Sequence, residues 1–321
     1  VKVVTKTSDP TASEAVGTVW YNSTSGALKY SIEGAGAWAA GNNLVNGRKL
    51  AGATGTQTAA MKTGGQPPSG GVGEKVTEQY DGTSWTEVAD LNTGRVSPVL
   101  WGTTTAAICA TGNNNSDNST YDLSETWNGT SWTESNDLNT ARSYASTANQ
   151  GTTTAGLVFA GAGPSYTTPT ALNESYNGTS YTEENDMNTA RKNAGAGGIS
   201  TAAFVAGGNP PTVAVTETWN GTSWTEVNDL NTARLFPGSS GTVTTALLYG
   251  GGEPAFANTE KWDGTSWTEV ADLATARERL GKGTGTSGSS ALALGGDPPP
   301  SFNLTEEWND PVYTVKTVTV S

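Results

Sequence analysis

One phrase recurs along this chain at a spacing that leaves few folds open. Five segments align without gaps: EQYDGTSWTEVADLNTGR from Glu78, ETWNGTSWTESNDLNTAR from Glu125, ESYNGTSYTEENDMNTAR from Glu174, ETWNGTSWTEVNDLNTAR from Glu217 and EKWDGTSWTEVADLATAR from Glu260. A degenerate sixth, EEWNDPVYTV, begins at Glu306. The closing arginines Arg95, Arg142, Arg191, Arg234 and Arg277 are 47, 49, 43 and 43 residues apart. A unit of this length cannot bury its apolar face alone and must stack on its neighbours, and the period suits propeller blades better than leucine-rich or ankyrin units. Composition then decides between strands and helices. Thr, Ser, Gly, Asn and Trp fill each unit, all poor or indifferent helix formers, and no segment carries an i, i+3, i+4 apolar stripe.

Each unit reads as four strands, here lettered a to d from the propeller axis outward. After Arg191 a small-residue stretch (Asn193–Gly198) leads through the turn Ile199-Ser200 to the apolar run Ala202–Ala206, closed by Gly207-Gly208. A loop of variable sequence follows, then an alternating strand, Val213–Trp219, the turn Asn220-Gly221, and a last strand around Trp224–Val227. Asn-Gly or Asp-Gly between aromatic-flanked strands predicts a tight hairpin with positive φ at both central positions. The strand-b pattern recurs six times, ending at Gly65, Gly112, Gly163, Gly208, Gly252 and Gly296. Six copies predict six blades.

A di-glycine after strand b, an aromatic in strand c, a Trp in strand d and an Arg opening the next blade together resemble the kelch repeat. That resemblance covers roughly residues 49–310 and implies an all-β, kelch-like β-propeller; the turn NGTS is shorter than the usual kelch c–d turn. The near-identical WNGTSWTE-x-NDLNTAR copies, with GTVWYNSTSGALKY before them, also resemble repeat proteins of marine bacteriophages found in fibres or on the virion surface. This second resemblance implies a virion-surface or extracellular location, with other virion or assembly proteins as partners through the N-terminal segment.

Residues 17–48 read as a further partial unit: strand Thr18–Tyr21, turn Ser23–Gly26, strand Ala27–Ile32, then Trp38, Leu44 and Arg48 matching the strand-d landmarks. A propeller normally closes by pairing one terminus with the other, which leaves no open sheet edge. Either the Trp38 strand completes the last blade or it belongs to an incomplete seventh, and Trp38 competes with Tyr313 for one strand-d position. The expectation is an N-terminal hairpin or adaptor over 1–33 and a six-bladed propeller over 34–321, with seven blades as the alternative. A chain opening on Val1 reads as a fragment or a processed product, and no signal peptide is visible.

Charge and residue types exclude several functions. A net charge of −13 argues against nucleic acid and anionic membranes, since both require clustered Lys and Arg, and no apolar run is long enough to insert in a bilayer. The lone Cys109 excludes an intrachain disulfide and reads as a small buried strand residue. With no histidine, the commonest general base and most zinc or copper sites are missing. A copper oxidase of the galactose-oxidase type would share only the fold, YDGTSW and WDGTSW miss a sialidase Asp box by one residue, and no asymmetric carboxylate pair stands out. No D-x-[DN]-x-[DN]-G calcium loop is present either, so neither metal nor cofactor is expected and the chain reads as non-catalytic.

The repeated landmarks have structural readings. Trp85, Trp132, Tyr181, Trp224 and Trp267, with the strand-c aromatics Tyr80, Trp127, Tyr176, Trp219 and Trp262, recur in every blade, as inter-blade packing requires and a single sugar platform does not. Arg95, Arg142, Arg191, Arg234 and Arg277, in register with the glutamates that open each phrase, suit inter-strand ion pairs or capped loop carbonyls. The aspartates Asp90, Asp137, Asp186, Asp229 and Asp272 suit Asx-type turns. Asn128, Asn177 and Asn220 satisfy N-x-T, and the hairpin turn explains them without glycosylation.

Comparison between copies separates constant loops from variable ones. The c–d turns, the d–a connections and the a–b turns hardly change, whereas the b–c loops do: QPPSGGVGEK, NNNSDNSTYDLS, GPSYTTPTALN, NPPTVAV, EPAFAN and DPPPSFNL. Uniform frame with one diversified loop set is the pattern of a binding face, and prolines such as Pro67, Pro210, Pro254 and Pro298 stiffen it. Tyr121, Tyr166, Phe256 and Phe302, with Asn114, Asn115, Asp117 and Asn209, would offer aromatic faces and amides to a host-surface glycan or protein. Unconstrained drift of these loops is the competing reading. Purely structural decoration of an assembly is the functional alternative, and a secreted carbohydrate-active enzyme a third.

Overall fold

The computed structural model describes residues 3–10, 18–33, 36–115, 119–164, 167–310 and 313–318. The chain divides into two compact units, Trp38–Trp308 and Val1–Ala37 with Asn309–Ser321.

The larger unit is a β-propeller. Its first sheet orders Gly52–Thr56, Ala59–Thr63, Thr77–Tyr80 and Trp85–Val88 as strands a to d. Four further four-stranded antiparallel sheets repeat that order. The sixth contains Ser290–Leu294, Thr305–Asn309 and Ala37–Ala40. In it the strand-a position is held by the irregular segment 281–285, where the Gly281 N–H donates to the Leu294 carbonyl. Five strand-a elements and the first regular strand of the sixth sheet adjoin in a closed cycle: Gly52–Thr56, Val99–Gly102, Ser146–Thr147, Gly195–Ile199, Gly238–Gly241, Ser290–Leu294, and back to Gly52–Thr56. Gly52 also bridges Lys282 in parallel across the seam.

The core is not one mass but a slab between each pair of neighbouring sheets. Met61, Leu91, Leu100, Cys109, Trp127 and Trp132 fill the space between the first and second. Leu44, Ala53, Tyr80, Trp85, Leu292 and Leu294 fill the one that closes the ring. Each large side chain removed from water there contributes about 1.5–3 kcal/mol. Burial also pushes the Cys109 thiol up to about 12, so it packs as an inert apolar group.

In five of the six sheets the strand-d aromatic is anchored to the preceding blade through the first residue of that blade's strand c. The indole N–H of Trp132 donates to Thr77 Oγ1 at 3.2 Å, Trp267 to Thr216 at 3.1 Å, Trp85 to Thr305 at 3.2 Å and Trp38 to Thr259 at 3.0 Å. The Tyr181 hydroxyl meets Ser124 Oγ at 3.0 Å. Trp38 therefore does for the sixth sheet what the repeat tryptophans do elsewhere. The fourth sheet departs from the pattern: the corresponding residue is Asn173, and Trp224 Nε1 is buried without a partner.

Three expectations change. The strand Tyr313–Thr317, expected within the propeller span, pairs antiparallel with Ala27–Glu33 in the smaller unit, and Trp38 takes the contested position. The c–d turn is a four-residue loop rather than a two-residue one, because Tyr80 pairs with Trp85 and Trp219 with Trp224. Only its glycine has positive φ, +91° at Gly82, while Asp81 Oδ1 accepts the N–H groups of Thr83 and Ser84; an Asx turn replaces the second left-handed residue. Strand c also begins later than its sequence pattern, at Thr216.

The smaller unit is a four-stranded sheet in the order Val4–Lys6, Val19–Asn22, Ala27–Glu33, Tyr313–Thr317. Val4–Lys6 joins parallel to Val19–Asn22, which makes a hairpin with Ala27–Glu33. Asp9 ties it together, accepting from Trp20 Nε1, Asn22 Nδ2 and Lys29 Nζ; the Lys29 bond above all holds its carboxyl below the usual range.

Candidate binding face

The b–c loops and d–a connections share one side of the propeller, where they are joined by a repeated set of hydrogen bonds. In each unit the N–H of the motif arginine donates to a b–c loop carbonyl: Arg95 to Glu74, Arg142 to Tyr121, Arg191 to Thr170, Arg234 to Val213, Arg277 to Phe256 and Arg48 to Phe302. In five of the six, the same loop residue donates its own N–H to a glycine after strand b, as Tyr121 does to Gly112 and Phe256 to Gly251. One backbone position is thus pinned around the ring while its side chain changes from Glu to Tyr, Thr, Val and Phe.

Beneath that position the charged landmarks are consumed by the frame. Arg95–Glu125 and Arg234–Glu260 close at 2.5 Å, Arg191–Glu217 and Arg277–Glu306 at 3.0 Å and Arg48–Glu78 at 3.1 Å, with Arg142–Glu174 completing the set. Every one of these arginines is buried. Desolvation pulls the guanidinium groups of Arg142, Arg234 and Arg277 down, and the facing carboxylate counters it. Each glutamate also accepts N–H groups from the d–a connection, Glu125 from Asn92 and Thr93. Such pairs fix loop geometry more than they add stability.

A second variable ring escaped sequence reasoning. Two residues past each arginine stands a non-glycine residue in the left-handed region: Leu50, Ser97, Tyr144, Asn193, Phe236 and Arg279, with φ between 54° and 60°. This backbone is strained by about 1–3 kcal/mol per residue, and it persists because neighbours hold it. The N–H of Ser97 donates to Leu50 O, Phe236 to Asn193 O, Arg279 to Phe236 O and Leu50 to Arg279 O. Leu50, Val96, Tyr144, Leu235 and Phe236, drawn from the starts of four blades, pack into a single buried cluster. Deeper in, Lys282 donates to the Ala145 carbonyl at 2.9 Å beside a cavity of about 10 Å³, room for roughly one water. Burial pushes its ammonium down to about 7. The signal was present in the sequence: Lys-Leu, Val-Ser, Ser-Tyr, Lys-Asn, Leu-Phe and Glu-Arg follow otherwise uniform arginines.

The expected ligand contacts that fall on described residues are spread over several blades. Tyr121, Phe256 and Phe302 occupy the same pinned position in the second, fifth and sixth blades. Phe302 has Lys49 Nζ 5.9 Å from its ring centroid, and Lys49 pairs with Asp297 at 2.7 Å. Phe256 folds back over Gly252. Asn209 accepts from Asn193 Nδ2 at 2.9 Å. Asn114 sits in the short ladder Asn113–Asn114 with Ser119–Thr120, and Asn115 in the turn after it. Asn114 and Tyr121 line a common groove. Tyr166 and Asp117 lie outside the described residues.

That groove lies between the first two blades and is lined by Val72, Gly73, Lys75, Asn92, Thr93, Gly94, Asn114 and Tyr121. It exists because the b–c loop of the first blade is packed unusually close to the d–a connection. A Cβ at Gly94 would fall under 3.0 Å from the Gly73 carbonyl oxygen, and this is the one copy in which NTAR becomes NTGR.

Comparison with known proteins adds the fold and nothing finer. No protein family's sequence pattern matches the chain, and no curated protein does. A solved structure of YjhT superposes with a TM-score of 0.68 at 10% identity, covering 86% of this chain and all of that one, so the two share a fold.

Proposed function

We propose that this protein is a non-catalytic display module of a virion or comparable surface assembly, which binds a host-surface glycan or protein through its b–c loop face. The carrying observation is the pinned backbone position whose side chain alone varies from blade to blade. Residues fixed before the ligand arrives lose little entropy on binding, so a modest set of contacts suffices. The repeated Arg, Glu and Trp side chains are buried in the frame, which leaves the variable loops as the surface that can distinguish ligands. Attachment would fall to the smaller unit, whose exposed Val3, Val4, Tyr21 and Val318 sit in or beside its strands. A glycan array probed with the full chain tests the reading. Specific binding that Tyr121→Ala or Phe256→Ala abolishes supports it; absence of binding to any glycan or host cell favours pure structural decoration instead.

A further inference from the structure

Building on that reading, we infer that the groove between the first two blades is a subsite for an acidic sugar unit, one bearing a carboxylate or a sulfate. In a chain with a net charge of −13 the described residues that line the groove include one cation, Lys75, and no carboxylate. The rest of its lining is what a saccharide requires. Tyr121 supplies an aromatic ring for the apolar face of a pyranose, and Thr93, Asn92 and Asn114 supply hydroxyl and amide groups for its hydroxyls.

The backbone that carries these groups is fixed before any ligand arrives, and so is the Asn92 amide. The Lys75 carbonyl accepts the Leu91 N–H at 3.0 Å, and its neighbour Glu74 is bonded to Gly65 and Arg95. The Tyr121 backbone is bonded on both sides, to Gly112 at 2.8 Å and to Arg142 at 3.1 Å. Asn92 Nδ2 donates to Glu125 Oε2 at 3.0 Å and to the Trp132 carbonyl at 3.2 Å, which turns its amide oxygen into the remaining acceptor. Glu125 is itself buried against Arg95, so its charge is answered below the groove floor. An anion entering here meets the Lys75 ammonium without facing a carboxylate among the described lining residues.

Isothermal titration of the full chain with tetragalacturonate, a sulfated tetrasaccharide and neutral maltotetraose tests this. The expected result is binding of one or both acidic sugars at least tenfold tighter than maltotetraose, weakening as NaCl is raised. Which of the two binds distinguishes carboxylate from sulfate. Lys75→Gln should cost tenfold or more and Lys75→Arg should restore binding, while Tyr121→Ala should weaken acidic and neutral sugars alike. Equal affinity for charged and neutral sugars, or an unchanged affinity in Lys75→Gln, overturns the acidic subsite. Failure of both acidic sugars to bind overturns it too. Either outcome leaves the display reading standing if the chain still binds another glycan or host cells through other loops; absence of binding to any glycan and to host cells removes both.

Discussion

Replacing Gly94 by alanine sets the structure against the logic of consensus. Four sibling copies carry alanine at this place, Ala141, Ala190, Ala233 and Ala276, and Gly94 lacks the positive φ that would require glycine. Judged by repeat statistics and chain entropy alone, Gly94→Ala should stabilise by about 0.4–1 kcal/mol. The packing predicts the reverse. The new Cβ would lie under 3.0 Å from a backbone oxygen, that of Gly73, with Lys75 Cγ a further 3.3 Å neighbour. Overpacking of this kind costs about 1–3 kcal/mol, and setting the entropy gain against it leaves a net loss of about 0.5–2 kcal/mol. Urea unfolding followed by tryptophan fluorescence would read this as a lower midpoint at unchanged slope. The mirror change, Ala141→Gly, should also destabilise, by about 0.4–1 kcal/mol, through unfolded-state entropy. Two losses from opposite substitutions fit the packing account; a gain in Gly94→Ala would refute it.

Other substitutions carry their own signs. Asn173→Thr should stabilise by about 0.5–1.5 kcal/mol, because it offers the buried Trp224 indole the hydroxyl that the other blades provide, and a rise in the urea midpoint checks it. Trp38→Ala should destabilise the propeller by about 2–4 kcal/mol, somewhat below the loss for a fully buried tryptophan, and calorimetry would show the transition broaden or split as the ring opens. Lys282 titrates near 7 in the folded chain and near its ordinary 10.5 when unfolded, so between those values the unfolded chain binds the extra proton and stability rises with pH. Lys282→Met should remove that part of the slope, as urea midpoints at pH 7 and 9 would show.

Much of the frame was legible because it is written several times. Strands, their order and the constant loops follow from comparing copies, and the period together with the helix-poor composition selects a propeller. The seam was not legible in the same way, since Trp38 and Tyr313 both carry an aromatic in a suitable place. What separates them is a hydrogen bond to Thr259 across a sheet boundary, which no local pattern encodes. The hairpin turn misled because an Asn-Gly or Asp-Gly pair also serves a four-residue Asx loop, in which the backbone N–H groups of Thr83 and Ser84 donate to Asp81. On the binding face, variability pointed to the b–c loops but not to the left-handed ring beside them. Six residues as unlike as Leu50, Ser97 and Arg279 share one strained backbone shape only because neighbouring blades bond them into a belt. The Asn114–Tyr121 groove likewise depends on Gly73 meeting Gly94, two residues distant in sequence.

If the b–c loop face is the proposed binding face, substitutions there and on the opposite face should have unequal effects. Binding of the full chain to host cells or to an array glycan should be compared between two variants, one carrying alanine at Tyr121, Phe256 and Phe302 and one carrying alanine at Thr130 and Thr201, exposed in the c–d and a–b turns of the other face. Loss in the first with full retention in the second is the expected result. Equal binding by both, or loss confined to the second, would contradict the account.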